Sequence, residues 1–70
     1  MPIMIAPLNV ELTVMRILVD EKTKKHLASL GILINAKLTV LSSVNGGVVI
    51  ALKEGRLALD RTIANKILVA

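Results

Sequence analysis

Apolar and polar residues alternate along much of this chain, with a single helical interruption early and one short helical turn late. Val10, Leu12 and Val14 alternate with Glu11 and Thr13, which predicts a strand over 10–19 with one buried face. The phase then slips, because Met15, Ile17 and Val19 carry the apolar period onward around Arg16 and Leu18. A change of phase within a strand predicts a bulge or sharp bend. Asp20 to Leu30 reads as the one helix: Asp20 caps it, Glu21 suits its first turn, and Leu27 and Leu30 share a face. Gly31 is placed to end it, with Ile32 packing back on Leu27. Strands follow at 36–42, 48–53 and 56–59, with Val44-Asn45-Gly46-Gly47 and Glu54-Gly55 as hairpin turns. In the first turn, Asn-Gly is expected to supply two residues tolerant of positive φ. Asp60 caps a helical turn through Ala64, with Ile63 and Ile67 on one face, and 66–69 forms the last strand.

About five short strands, one helix near 20–30 and one late helical turn predict a mostly β fold, a small SH3-like barrel. A split sheet with one helix is the alternative arrangement. With 70 residues and no internal repeat, the chain is expected to form one domain over 1–70.

Composition sharpens this picture. Hydrophobic residues make up 54% of the chain, yet it contains no Phe, Tyr or Trp, so the core is built from aliphatic side chains. The same lack leaves no stacking platform for bases and no aromatic anchor for a partner. Partner contacts must come from aliphatic side chains, backbone pairing and charge. There is no cysteine, hence no disulfide framework, which suits a reducing cytoplasm. The segment Met1 to Val10 has no basic stretch and is interrupted by Pro2 and Pro7, so it reads poorly as a signal peptide. As an apolar arm outside the barrel, it either covers a gap in the barrel or pairs with another chain, giving a homo-oligomer. Elsewhere, charges break the apolar runs well before the ~20 residues a membrane span requires. A soluble protein without direct membrane insertion is expected.

The order of the pieces carries a family resemblance. A strand ending Val14-x-x-Ile17 leads to a helix with a Leu30-Gly31-Ile32 exit, then to strand Leu38-Thr39-Val40. A glycine turn precedes Val48-Val49-Ile50, Arg56-Leu57-Ala58-Leu59 follows, and Ala64 and Ile67 stand before the last strand. In this the chain resembles the ferrous iron transport protein A (FeoA) family, and the related C-terminal barrel domains of DtxR-type repressors. It departs where members carry Pro-Gly, showing Ile34-Asn35 and Leu8-Asn9 instead; Asn tolerates the left-handed conformation and stands in for Gly. The resemblance implies a cytoplasmic accessory protein, peripheral to the inner membrane only through its partner. That partner is a FeoB-type ferrous iron transporter whose assembly or GTPase-linked activity it modulates.

The chemistry-bearing residues are few. His26 is the sole histidine and stands beside Lys24 and Lys25, where a solvated side chain is the ordinary outcome. An internal Fe(II) triad needs two histidines and a carboxylate, so no metal site is assigned; iron binds weakly or at a shared site if at all. Asp20, Glu21, Glu54 and Asp60 all read as cap, first-turn or hairpin residues, leaving no catalytic grouping and no enzyme. Asn45-Gly46-Gly47 lacks the Lys-Ser/Thr ending and following helix of a phosphate-binding loop. Partner binding is placed on Lys22, Lys24 and Lys25, the densest basic cluster, and on Arg56 and Arg61, which stand at a strand start and a turn. Net charge is +4. Two alternatives remain on these data: a basic small barrel binding nucleic acid, disfavoured by the missing aromatics, and a free-standing interaction domain associated with a regulator.

Overall fold

The computed structural model describes residues 1–70. Its elements are a 3₁₀ turn at Ile3–Ile5, strand β1 (Glu11–Ile17), helix α1 (Glu21–Ser29), strands β2 (Lys37–Val44), β3 (Gly47–Leu52) and β4 (Gly55–Asp60), helix α2 (Arg61–Ala64) and strand β5 (Ile67–Val69). All strand pairs are antiparallel, in the order β4-β3-β2-β1-β5. This is the five-stranded SH3-like fold expected from the pattern.

The phase slip in β1 is what lets one strand serve both halves of the sheet. Residues Glu11 to Thr13 pair with β2, whereas Val14 to Ile17 pair with β5, and the register shifts between Val14 and Arg16. Met15 is the extra residue. It does not continue the buried period, as the alternation had suggested: it is exposed together with Arg16, and burial resumes at Ile17. A bulge places two successive side chains outward, which simple alternation cannot represent. Strand β1 is also shorter than the predicted 10–19.

Helix α1 begins where expected. The Asp20 carboxylate accepts a hydrogen bond from the Thr23 N–H at 3.2 Å. The exit is a Schellman motif: Ile32 N–H donates to Leu27 C=O at 2.9 Å and Gly31 N–H to Ala28 C=O at 3.0 Å, with Gly31 at φ +97°. Leu27 and Ile32 are both buried. Leu30, expected to share the face of Leu27, is exposed instead, because the reversal at Gly31 brings Ile32 back into the place beside Leu27.

Hydrogen bonding from Thr23, its side-chain hydroxyl first and its backbone N–H second, holds the Asp20 carboxyl below its ordinary value of 3.8, with a smaller contribution from the charge of Lys66. A lowered folded-state pKa stabilises the fold fully above the unfolded pKa and loses that contribution as pH falls through the folded value. Asp20→Asn keeps a capping side chain but has nothing to titrate. Thermal melts from neutral pH down to the acid range should therefore show a smaller stability loss in Asp20→Asn than in the wild type, with the two curves separating below about pH 4. Parallel curves would show that the cap does not depend on charge.

Both asparagines that stand for glycine take the left-handed conformation, Asn9 at φ 60° and Asn35 at φ 72°. The Asn45-Gly46 turn differs from expectation, since neither residue has positive φ. The glycine that the backbone needs is Gly47, whose added Cβ would lie 2.2 Å from the Leu59 carbonyl oxygen of β4.

Fifteen buried aliphatic residues form one core cluster, with Val14, Val40 and Ile50 from the strands and Ile3, Ile32 and Ala64 from the connections. The N-terminal arm is part of this core. Ile3 is fully buried, Pro2 bridges to Leu68, and Met1 and Val69 exchange hydrogen bonds at 2.9 and 2.7 Å. The arm thus covers the barrel, the first of the two roles foreseen for it.

Candidate partner-docking surface

With no aromatic side chain available, a docking surface here has to be assembled from charge, aliphatic groups and exposed backbone. Lys22, Lys24 and Lys25 are all exposed on α1. Helical spacing puts Lys22, Lys25 and His26 on one outward stripe, opposite buried Leu27, with Lys24 at its flank. Lys22 and Lys24 occupy the first turn, the positive end of the helix macrodipole, where cations weaken a helix. Their placement therefore does nothing for α1 itself.

Lys66 joins this region. Its backbone carbonyl accepts from Leu18 N–H at 2.8 Å, and its charge acts on Asp20 at the start of α1. The residue lies far along the chain, so no local pattern could have linked it to the helix lysines.

The two arginines are exposed but not brought together. Arg56 pairs with Ala51 near the start of β4, whereas Arg61 follows Asp60 at its end. Four strand residues lie between them, and the five steps along the chain span about 16 Å. Arg61 is also drawn back on the β2–β3 turn: its N–H donates to Gly46 C=O at 3.0 Å and its guanidinium to Asn45 Oδ1 at 3.4 Å. Arg56 lines a shallow depression with Leu30, Leu52 and Leu57.

Two sets of exposed aliphatic side chains were not singled out from the sequence. The bond from Asn35 N–H to Val14 C=O, at 2.8 Å, brings the turn carrying Leu33 and Ile34 beside the bulge at Met15. All three side chains are about half exposed. The second set, Ile5 and Val44, is the most exposed, at 72% and 68%. Ser43 Oγ donates to Met4 C=O, tying the arm to the end of β2 there. The only sequence signal for either set was an apolar residue at a turn, a bulge or the arm.

No three His, Asp or Glu side chains converge anywhere on the molecule in a way that could hold a metal ion, and His26 stands exposed on α1. No helix is long and apolar enough to cross a membrane.

The FeoA domain model matches residues 1–70. The chain belongs to the FeoA family. Solved FeoA structures share its fold throughout. A crystal structure of an iron uptake regulatory protein (FeoA) superposes with a TM-score of 0.88 at 24% identity, covering 99% of this chain and 93% of its own. The FeoA protein from Chlorobium tepidum gives 0.86 at 21% identity, over 99% and 68%. A FeoA-like protein from Clostridium acetobutylicum gives 0.80 at 17% identity, over 99% and 83%. No curated protein matches the chain. Within a FeoA fold, then, this chain presents its helix lysines and bulge-side aliphatics on an all-aliphatic barrel.

Proposed function

We propose that this chain is a small accessory protein of ferrous iron transport. It docks onto the cytosolic part of a FeoB-type membrane transporter and modulates its assembly or GTPase-linked activity. The match to the FeoA family over the whole of residues 1–70 carries this reading. Two features of the surface support it. Lys22 and Lys24 stand where they do not help the helix, which suits a role in contact with an acidic partner. The proposed role also asks for no catalytic group on this chain. Iron is the transporter's cargo, and His26 could contribute only to a site completed by the partner.

The test is a titration of this protein into the purified cytosolic domain of the transporter, with and without guanine nucleotide. Saturable binding is expected. Replacing Lys22, Lys24 and Lys25 together by Glu should weaken it at least tenfold at low salt, with the difference shrinking as salt is raised. At Lys22 and Lys24 the change puts acidic residues in the first turn, which favours the helix, and circular dichroism of the variant verifies that the change at Lys25 leaves α1 formed. Absence of binding in every nucleotide state would overturn the docking reading.

A further inference from the structure

Strands β5 and β4 stand at the two ends of the hydrogen-bonded order, and the chain treats them differently. The β5 edge is closed by the N-terminal arm, through the Pro2–Leu68 bridge and the Met1–Val69 bonds. Among the elements, β3 and the helical turn α2 approach β4 most closely, and Leu30 at the exit of α1 stands beside Arg56 and Leu57. None of the backbone hydrogen bonds made outside the helices and strands ends on residues 55 to 60.

An open edge is normally blunted by like charges, lysine above all, or by proline, a bulge or a covering segment, whereas the charges of β4, Arg56 and Asp60, are of opposite sign. Strand β4, Gly55-Arg56-Leu57-Ala58-Leu59-Asp60, has no lysine, no proline and no bulge. Its pairing with β3 runs unbroken from Leu52–Gly55 to Gly47–Asp60, whereas the β1–β5 and β2–β3 ladders both shift register. The two-residue turn Lys53-Glu54 makes Leu52–Gly55 a hydrogen-bonded pair. By alternation, Gly55, Leu57 and Leu59 bond to β3, while Arg56, Ala58 and Asp60 direct their N–H and C=O groups outward. The two charges on this edge have opposite sign and flank Ala58 symmetrically.

We propose that this edge is a self-association surface, on which β4 pairs antiparallel with β4 of a second copy about a two-fold axis at Ala58. Charge selects the register. Centred on Ala58, Arg56 lies opposite Asp60 of the second copy, and Asp60 opposite its Arg56. Ala58 meets its own counterpart, where a small side chain allows close approach, and Leu57 extends the inner face toward the second copy's Leu59. Centring on Leu57 or Leu59 instead leaves a charge facing Ala58, and a half-step places inward residues against outward ones, against the pleat. Asp60 is free to make the contact, because its Oδ1 already accepts the Ile63 N–H at 2.8 Å and its second oxygen remains for the guanidinium. The result is a continuous sheet across two molecules, with opposite charges paired at both ends of the shared ladder. This inference stands on the edge alone and is independent of the transport reading.

Sedimentation equilibrium on the full chain, from about 10 μM to about 1 mM, reads the association directly. A reversible monomer–dimer equilibrium is expected, with amide exchange at Ala58 slowing as concentration rises. Arg56→Glu places like charges opposite Asp60 and should raise the dimer dissociation constant at least tenfold. Ala58→Pro removes the outward N–H at the axis and should abolish association; resolved amide spectra would verify that each variant monomer is folded. A single monomeric species over the whole range overturns the proposal, whatever other partner the edge accepts. So does a dimer that neither substitution weakens.

Discussion

Gly47→Ala should destabilise the protein by about 3 kcal/mol or more, while Gly46→Ala, its immediate neighbour, should leave stability nearly unchanged. A Cβ built at Gly47 would sit 2.2 Å from the Leu59 carbonyl oxygen and 3.2 Å from the Asp60 Cα, both backbone atoms of β4. Neither can swing aside as a side-chain tip would. Relief requires β3 and β4 to separate where Gly47 pairs with Asp60, and Asp60 is also the cap of α2. At Gly46 an added Cβ meets nothing within 4 Å. Urea denaturation of the two variants checks the contrast. Equal midpoints would mean that the strands can part at this point without cost.

The second large effect is expected at the arm. Ile3→Ala should cost about 3 kcal/mol, within the 2–5 kcal/mol usual for truncating a fully buried aliphatic residue. For a chain of this size, total stability is of the order of 4–10 kcal/mol. The variant should therefore melt far below the wild type. Ile5→Ala, two residues on and 72% exposed, is the internal control and should have little effect. Equal melting temperatures for Ile3→Ala and the wild type would show that the arm merely lies against the barrel without stabilising it.

Much of this fold was legible in the sequence wherever local chemistry dictates local geometry. Asp20 and Asp60 cap the helices named for them, Gly31 reverses the chain in the left-handed conformation, and Asn9 and Asn35 do the work of glycine. The bulge in β1 was visible as a phase slip, although its consequence for Met15 was not. What escaped depends on contacts between distant residues. Which glycine of Gly46-Gly47 is indispensable is decided by β4, a strand the turn itself cannot anticipate. Leu30 lost its place to Ile32 through the geometry of the helix exit. The 3₁₀ turn at Ile3–Ile5 exists because β5, more than sixty positions later, offers it an edge. The docking surface was legible as a list of charges only. The sequence named the three lysines of α1, but the partnership with Lys66 and the aliphatic ground around Met15 come from the fold.

The arm also bears on how the chain is made. Proteins emerge from the ribosome N-terminus first, yet the turn that carries Ile3 packs on β3, α2 and β5, and its set of neighbours is complete only when the segment around Leu68 and Val69 is present. These apolar residues must wait for partners made more than sixty positions later. Closing so long a loop is slow compared with forming α1. Until then Ile3 and Met4 remain open to other chains or to chaperones, so the interval between their synthesis and that of β5 is when the molecule is most exposed to misassociation.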